Sequence, residues 1–317
     1  MNAFIWDGRE ATVIANHPEP QVSPEMAVVE VGLAGVCSTD LQILQGYMDF
    51  RGVLGHEFVG VVLEGPRDWV GARVAGEINF ACRRCNVCAA GQDRHCPNRT
   101  VMGIQGADGA FAQRVRVPWQ NLHRIPDQVS DREAIFIEPL AAAFEADLQS
   151  RSHKGGRTAV LGAGKLGLLC AQVLALRGDD VRVICRHEAA MSKARAVGLE
   201  AVSVEHTGEN YSLVVEATGH PEGLAKALAL VRPGGAVVQK TTIAARHDID
   251  LAPLVIHEIT MIGSRCGPFA PAIDALAASQ IQVEPLLSSV LPLSAASQAI
   301  REARQPGALK IALDPAL

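Results

Sequence analysis

The chain has 317 residues, 48% hydrophobic and 20% charged, which is long enough for two domains and apolar enough to bury substantial cores. Twenty-nine Lys and Arg against 34 Asp and Glu leave a formal net charge of −5. That balance argues against disorder and against a broad electrostatic binder of nucleic acid or anionic membranes, although a local basic patch would escape the sum.

In chain order, Met1 to His17 opens with apolar residues but carries Asp7 and Glu10 and no basic start, so it does not read as a signal peptide. The longest apolar stretch, Ala159 to Leu176, contains Lys165 and three glycines and reads as a strand–turn–helix unit, not a membrane span. A cytoplasmic, reducing compartment is therefore expected. There the eight cysteines are better read as metal ligands or core residues than as disulfides.

The first 140 residues are rich in Gly and Pro, with short apolar runs at Val28–Val31 and Phe58–Leu63, and predict an irregular β-rich domain. Within it stand Gly35-Val36-Cys37-Ser38-Thr39-Asp40 and Gly55-His56-Glu57. Taken singly these are weak signals, since a lone Cys or His is more often a core residue. With Glu138 they offer a thiolate, an imidazole and a carboxylate, a set that can hold zinc through three protein ligands and leave a fourth position open.

Between these motifs lies Cys82-x2-Cys85-x2-Cys88-x7-Cys96. Four thiolates on one short lobe can enclose a tetrahedral zinc with no open position, a structural site. The intervening residues are mostly polar, so metal binding would supply the folding free energy that they lack. The ferredoxin run has three residues before its fourth Cys, against seven here. Arg83 and Arg84 suggest a nucleic-acid module, but the acidic chain and the absence of finger histidines argue against one. Uncoordinated cysteines are the remaining reading.

Strand and helix patterns begin to alternate near Ala141 and continue to about Cys266. Thr158–Leu161 reads as a strand, Gly162-Ala163-Gly164-Lys165-Leu166-Gly167 as G-x-G-x-x-G, and the apolar positions from Leu166 to Leu174 as a helix that Gly178 stops. Gly162 would allow the tight turn, Gly164 the approach of a pyrophosphate, and Gly167 close helix–strand packing. Further buried strands are expected at Val181–Ile184, Tyr211–Val215 and Gly235–Val238. A phosphate loop of the G-x-x-x-x-G-K-[ST] type fails because Lys165 is followed by Leu166. A purely structural glycine turn stays as the alternative. At the end of the second strand, where a carboxylate would select NAD, stands Arg186. A guanidinium there favours NADP(H), because it can bond a 2′-phosphate that a carboxylate would repel; otherwise Arg186 is simply solvated. The tail reads as helices over Pro271–Ser279 and Ser294–Arg304 and a last strand, Leu309–Leu313.

These motifs, in this order, resemble the zinc-dependent medium-chain alcohol dehydrogenases, especially the polyol, sugar and threonine dehydrogenase-like branch. The match also takes in Glu138-Pro139-Leu140, Glu216-Ala217-Thr218-Gly219, Arg232-Pro233-Gly234-Gly235 and the Pro306–Lys310 stretch, and so covers nearly the whole chain. The resemblance implies an α/β plus β-rich fold. A GroES-like catalytic domain would span 1–140, with the zinc lobe at about 82–96, and a Rossmann domain 141–266. The segment 267–317 would return to the catalytic domain. It further implies that Cys37, His56 and Glu138 ligate a catalytic zinc, with Glu57 water-bridged or an occasional ligand. Thr39 would bond the substrate oxygen and start proton removal, and Asp40 would orient His56. Cys82, Cys85, Cys88 and Cys96 would hold the second zinc. Gly162, Ala163, Gly164, Lys165, Leu166, Gly167, Arg186 and Thr218 would bind the nicotinamide cofactor.

The expected activity is hydride transfer between an alcohol or polyol, or its carbonyl, and NADP(H). The partners are a small-molecule substrate and further copies of the chain in a homodimer or homotetramer, with neither nucleic acid nor membrane. Two departures stand out: Gln42 occupies the position of a relay histidine, and Arg51 a position where Pro is common, solvated or paired with an anionic substrate. A dehydrogenase of a larger hydroxylated metabolite and a catalytically silent nucleotide-binding protein are the competing readings. A zinc-independent reductase of the same superfamily needs neither ligand set.

Overall fold

The computed structural model describes residues 1–206, 208, 210–243 and 248–317. Its contacts resolve two compact units, Met1–Glu138 with Leu287–Leu317, and Pro139–Leu286.

The first unit is built on a seven-stranded sheet. Six strands run in the order Leu122–Arg124, Arg73–Gly76, Glu57–Glu64, Met26–Gly35, Lys310–Asp314, Leu287–Pro292, and Arg114–Pro118 pairs with Met26–Gly35 as well. Met26–Gly35 is central. Ala27, Val28, Val29, Val31, Leu33 and Ala34 are all buried, which is why the sequence there reads as a nearly continuous apolar run and not as an alternation. Gly35 lies opposite Glu57 on one side and Ala312 on the other. That register brings the chain around Cys37, the Gly55-His56-Glu57 turn and Lys310 together from three distant parts of the sequence. Two smaller three-stranded sheets complete the unit: Ala11–Ile14, Ala3–Trp6, Gly52–Val53, and Asn79–Phe80, Thr100–Met102, Gly106–Ala107. The cysteine lobe has only a short helix, Asn86–Ala89, and a 3-10 turn, Asp93–His95, as expected for a segment with little apolar surface.

The second unit holds a six-stranded, wholly parallel sheet ordered Glu200–Ser203, Asp180–Cys185, Arg157–Leu161, Tyr211–Glu216, Val231–Gln239, Thr260–Gly263. In chain order this is 3-2-1-4-5-6, the Rossmann arrangement, which binds dinucleotides where the strand order reverses. Ala159, Leu161, Ile184, Val214 and Val237 from the strands pack with Ala227, Leu228 and Leu230 of the helix Gly223–Leu230. Each fully buried aliphatic side chain of Val or Leu size contributes about 1.5–3 kcal/mol.

The unit runs to Leu286, whereas the sequence reading ends the alternating region near Cys266. The segment between belongs with the parallel sheet because the Gln172 side chain, on the helix Lys165–Leu176, bonds the backbone of Gln282 in both directions, at 3.0 and 2.7 Å. The tail helix starts at Phe269, two residues before Pro271. Pro271 is tolerated there because a first-turn N–H has no intrahelical acceptor to lose.

Candidate active site

Val36 ends the central strand's apolar run, and Cys37 caps the short helix Ser38–Ile43. The Asp40 carboxylate accepts from the Cys37 backbone N–H at 2.8 Å and from the Gly55 N–H at 3.2 Å, so one fully buried side chain ties the two ligand-bearing turns together. Its Oδ1 also lies 3.4 Å from His56 Nδ1, close enough for ion pairing, although that nitrogen makes no hydrogen bond. Ligand atoms of Cys37, His56 and Glu57 all lie within 4.8 Å of one another. Thr39 Oγ1 is 3.7 Å from Cys37 Sγ.

His56 and Glu57 are buried, at 2% and 0% exposure. Burial opposes the charged imidazole of His56, but the charges of Asp40 and then Cys37 outweigh it and hold its pKa well above the ordinary value. The negative charge gathered here is partly answered by Lys310, whose Nζ bonds Glu57 Oε2 with both groups fully buried. Glu57 Oε1 keeps no partner. A cysteine sulfur, an imidazole and a carboxylate oxygen converging beside the buried Asp40 are a donor set that suits Zn²⁺. Glu138 does not join this group: it sits half-buried near the start of the helix Ile137–Gln149.

Sequence reasoning assigned Lys310 no role. Its signal was a lysine inside the apolar run Leu309-Lys310-Ile311-Ala312-Leu313, where a buried charge must find a partner. Gly35 belongs to the same arrangement, since a Cβ there would collide with the Glu57 carboxylate and press on Lys310. Gln42 is half-buried on the Ser38–Ile43 helix. Arg51 is exposed and lies over Gly8, where an added Cβ would come within 2.9 Å of its Nε. It adds its charge at Asp7, whose carboxyl is held below its ordinary value first by the N–H groups of Glu10 and Arg9.

In the lobe, Sγ–Sγ separations are 3.5 Å for Cys82–Cys96 and Cys85–Cys88 and 3.8 Å for Cys85–Cys96. A tetrahedron with Zn–S bonds of about 2.3 Å has edges of about 3.8 Å, whereas a disulfide needs about 2.05 Å. The four sulfurs are therefore spaced for a shared ion and not for disulfides.

At the dinucleotide fingerprint, Gly162 has φ +109°, and a Cβ there would come within 2.7 Å of the Ala217 carbonyl oxygen. A Cβ on Gly167 would strike the Gly162 carbonyl, while one on Gly164 would meet nothing within 4 Å. The open side of Gly164 lies at the N-terminus of the helix Lys165–Leu176, which no side chain caps. A helix N-terminus of this kind suits an anion. Ala163, Lys165 and Leu166 are half-buried around it, and Arg186 is exposed just past the strand Asp180–Cys185. Thr218 is turned inward: its hydroxyl donates to Glu216 Oε1 at 2.5 Å and accepts from the His220 N–H at 3.1 Å. Glu216, fully buried, also accepts from Gln239 Nε2 at 2.7 Å, so it braces the loop beside the fingerprint.

Two family models match the chain: the alcohol dehydrogenase GroES-like domain over residues 23–127 and the zinc-binding dehydrogenase domain over 166–278. The sorbitol dehydrogenase of Halalkalibacterium halodurans is 28% identical over 95% of each chain. The chain belongs to the zinc-type medium-chain alcohol dehydrogenase family. Among solved members, an RspB alcohol dehydrogenase of Escherichia coli CFT073 complexed with NADH superposes with a TM-score of 0.90 at 27% identity, covering 99% of each chain. A zinc-binding dehydrogenase of Sinorhizobium meliloti 1021 bound to NADP gives a TM-score of 0.90 at 29% identity, again over 99% of each chain. As a family member the chain is an oxidoreductase with a GroES-like domain and a Rossmann domain. Among the described residues, no helix is long and apolar enough to cross a membrane.

Proposed function

We propose that the chain is a zinc-dependent dehydrogenase that moves a hydride between the carbinol carbon of an alcohol or polyol, or the corresponding carbonyl, and NADP(H). The observation that carries this reading is the convergence of the half-buried Cys37 with the buried His56 and Glu57, their ligand atoms within 4.8 Å of one another. When bound, zinc supplies Lewis acidity toward an alcohol oxygen and the nicotinamide supplies the hydride acceptor. Cys37 and His56 are the ligands common to both carboxylate arrangements, with Glu57 at the group and Glu138 from the neighbouring helix as the alternative third ligand. Asp40 holds the two ligand turns in register and keeps a negative charge 3.4 Å from His56 Nδ1. Thr39 would accept the substrate hydroxyl proton only as it passes its own hydroxyl proton on, staying neutral. Gln42 has no titrating group near neutral pH, so the proton leaves through water.

The cysteine lobe is the second, structural zinc site of this reading. NADP(H) over NAD(H) rests on Arg186, exposed at the strand end where a selecting carboxylate would otherwise stand. A homo-oligomer is supported by the edge strand Thr260–Gly263 and its exposed apolar neighbours Val255 and Ile256, at 79% and 71% exposure. A four-cysteine lobe spaced for a shared ion and not for disulfides supports a reducing, cytoplasmic setting.

The test is a panel of alcohols, polyols and carbonyls with NADP⁺ or NADPH, run on wild type and on Cys37→Ser. Turnover that depends on metal and falls by about a thousandfold in the variant supports the reading. Full turnover after metal removal contradicts it.

A further inference from the structure

The first unit contains a cleft of about 980 Å³ whose lining includes none of Cys37, Thr39, Asp40, His56, Glu57 or Glu138. Its size is at the upper end of small-ligand pockets, about 300–1,000 Å³. It lies between the strand Arg114–Pro118, the 17–21 loop and the stem of the cysteine lobe. Along that strand the pleat buries Val115 and Val117 and sends Arg114 and Arg116 to the other face. Arg83 and Arg84 enter the lining from the lobe itself, between Cys82 and Cys85.

The four guanidiniums are not equivalent. Arg114 pairs with Glu19 at 2.9 Å, and Arg83 donates to Asn121 Oδ1 at 2.9 Å. Arg84 and Arg116 are exposed and have no ion-pair partner among the described residues. Of the acidic residues in the lining, Glu19 is taken by Arg114, and Asp108 accepts from the Val53 N–H at 3.0 Å and lies 3.7 Å from His17. Glu25 is left as an acceptor, with Gln120 as both donor and acceptor. In a chain with a formal charge of −5, this wall carries surplus positive charge.

The geometry points to this cleft as a binding site for a small phosphorylated, hydroxyl-bearing metabolite, distinct from the dinucleotide loop. Arg84 and Arg116 take the phosphate, which the planar guanidinium can bond bidentately, and Glu25 and Gln120 take hydroxyls. The site rests on the proposed function only through the cysteine lobe, whose Cys82 lines it and whose fold holds Arg84, since neither the Cys37–His56–Glu57 group nor the fingerprint lines it.

The test is calorimetric titration of the full chain, saturated with NADP⁺ to occupy the dinucleotide loop, using inorganic phosphate and a hexose 6-phosphate. The expected result is one saturable site per chain that prefers the hexose phosphate. Its affinity should fall about tenfold in Arg116→Ala and in Arg84→Ala, with urea midpoints unchanged because both side chains are exposed. Arg116→Lys should recover part of the loss, since it keeps the charge without the fork. Absence of saturable binding, displacement of the probe by NADP⁺, or indifference to either alanine replacement would overturn the assignment.

Discussion

Lys310 and Glu57 form a fully buried ion pair between residues 253 positions apart, on two strands that flank Met26–Gly35. Removing two charges from water is costly, and the pair persists because each partner answers the other. The ammonium also lies 5.7 Å from the centre of the Phe136 ring, over its face. The pair therefore anchors the returning C-terminal strand at the residue that adjoins His56.

Lys310→Met leaves the Glu57 carboxylate buried and alone, and should cost about 3–5 kcal/mol in urea unfolding. Combining it with Glu57→Gln should recover much of that loss, because no uncompensated charge remains. A single variant within about 1 kcal/mol of wild type would show that the pair does not hold the strand.

The lobe should lose its ion in acid. In the metal-free lobe the Cys82 thiol is drawn down to about 6, first by the Arg84 N–H, while desolvation and then Cys85 push Cys88 up to about 12. Metal binding must displace the protons that remain, so affinity falls as pH falls. Chelation at pH 5 should strip one zinc and open the segment 83–95 to protease, and Cys96→Ser should do the same at neutral pH. Equal resistance to protease with and without metal would contradict a structural role.

Arg186→Asp should lower the NADP⁺/NAD⁺ ratio of kcat/KM by about ten- to a hundredfold, by replacing an attractive charge with a repulsive one at the ribose. An unchanged ratio would mean that Arg186 is only a solvated residue.

Asp179 gives the second unit a pH dependence of known sign. Its fully buried carboxylate accepts from Arg177 Nη2 at 2.6 Å, Thr158 Oγ1 at 2.7 Å and the Gly155 N–H at 2.8 Å. Burial would raise its pKa, but the bonds from Arg177, Thr158 and Gly155 together hold it below the ordinary 3.8. With the folded value below the unfolded one, the stabilisation is complete above the unfolded pKa and disappears as pH falls through the folded value. Asp179→Asn should therefore lose about 2 kcal/mol at pH 7, and the deficit should shrink as pH falls below the unfolded pKa and through the lower folded one, read from urea midpoints. A deficit that stays constant across that range would contradict the assignment.

Much of this was legible in the chain because the motifs are local. The Gly162–Gly167 loop carries its own turn, helix start and close packing within six residues, and the four lobe cysteines lie within 15 residues. What was hidden depends on strand register. Whether Glu57 or Glu138 lies with Cys37 and His56 follows from Gly35 standing opposite Glu57, and the role of Lys310 follows from the return of the final strand. No local pattern encodes either. Thr218 shows the same limit, since its place in the sequence makes it a candidate cofactor contact but only the Glu216 contact shows its hydroxyl turned inward.

The central claim, an open metal centre beside a closed one, is tested most directly by metal content per chain, measured on freshly purified wild type and Cys37→Ser. Two zinc ions falling to one is the result predicted here. One zinc in both would leave only the cysteine lobe occupied and remove the catalytic centre from the account, and iron in place of zinc would overturn the reading of the lobe.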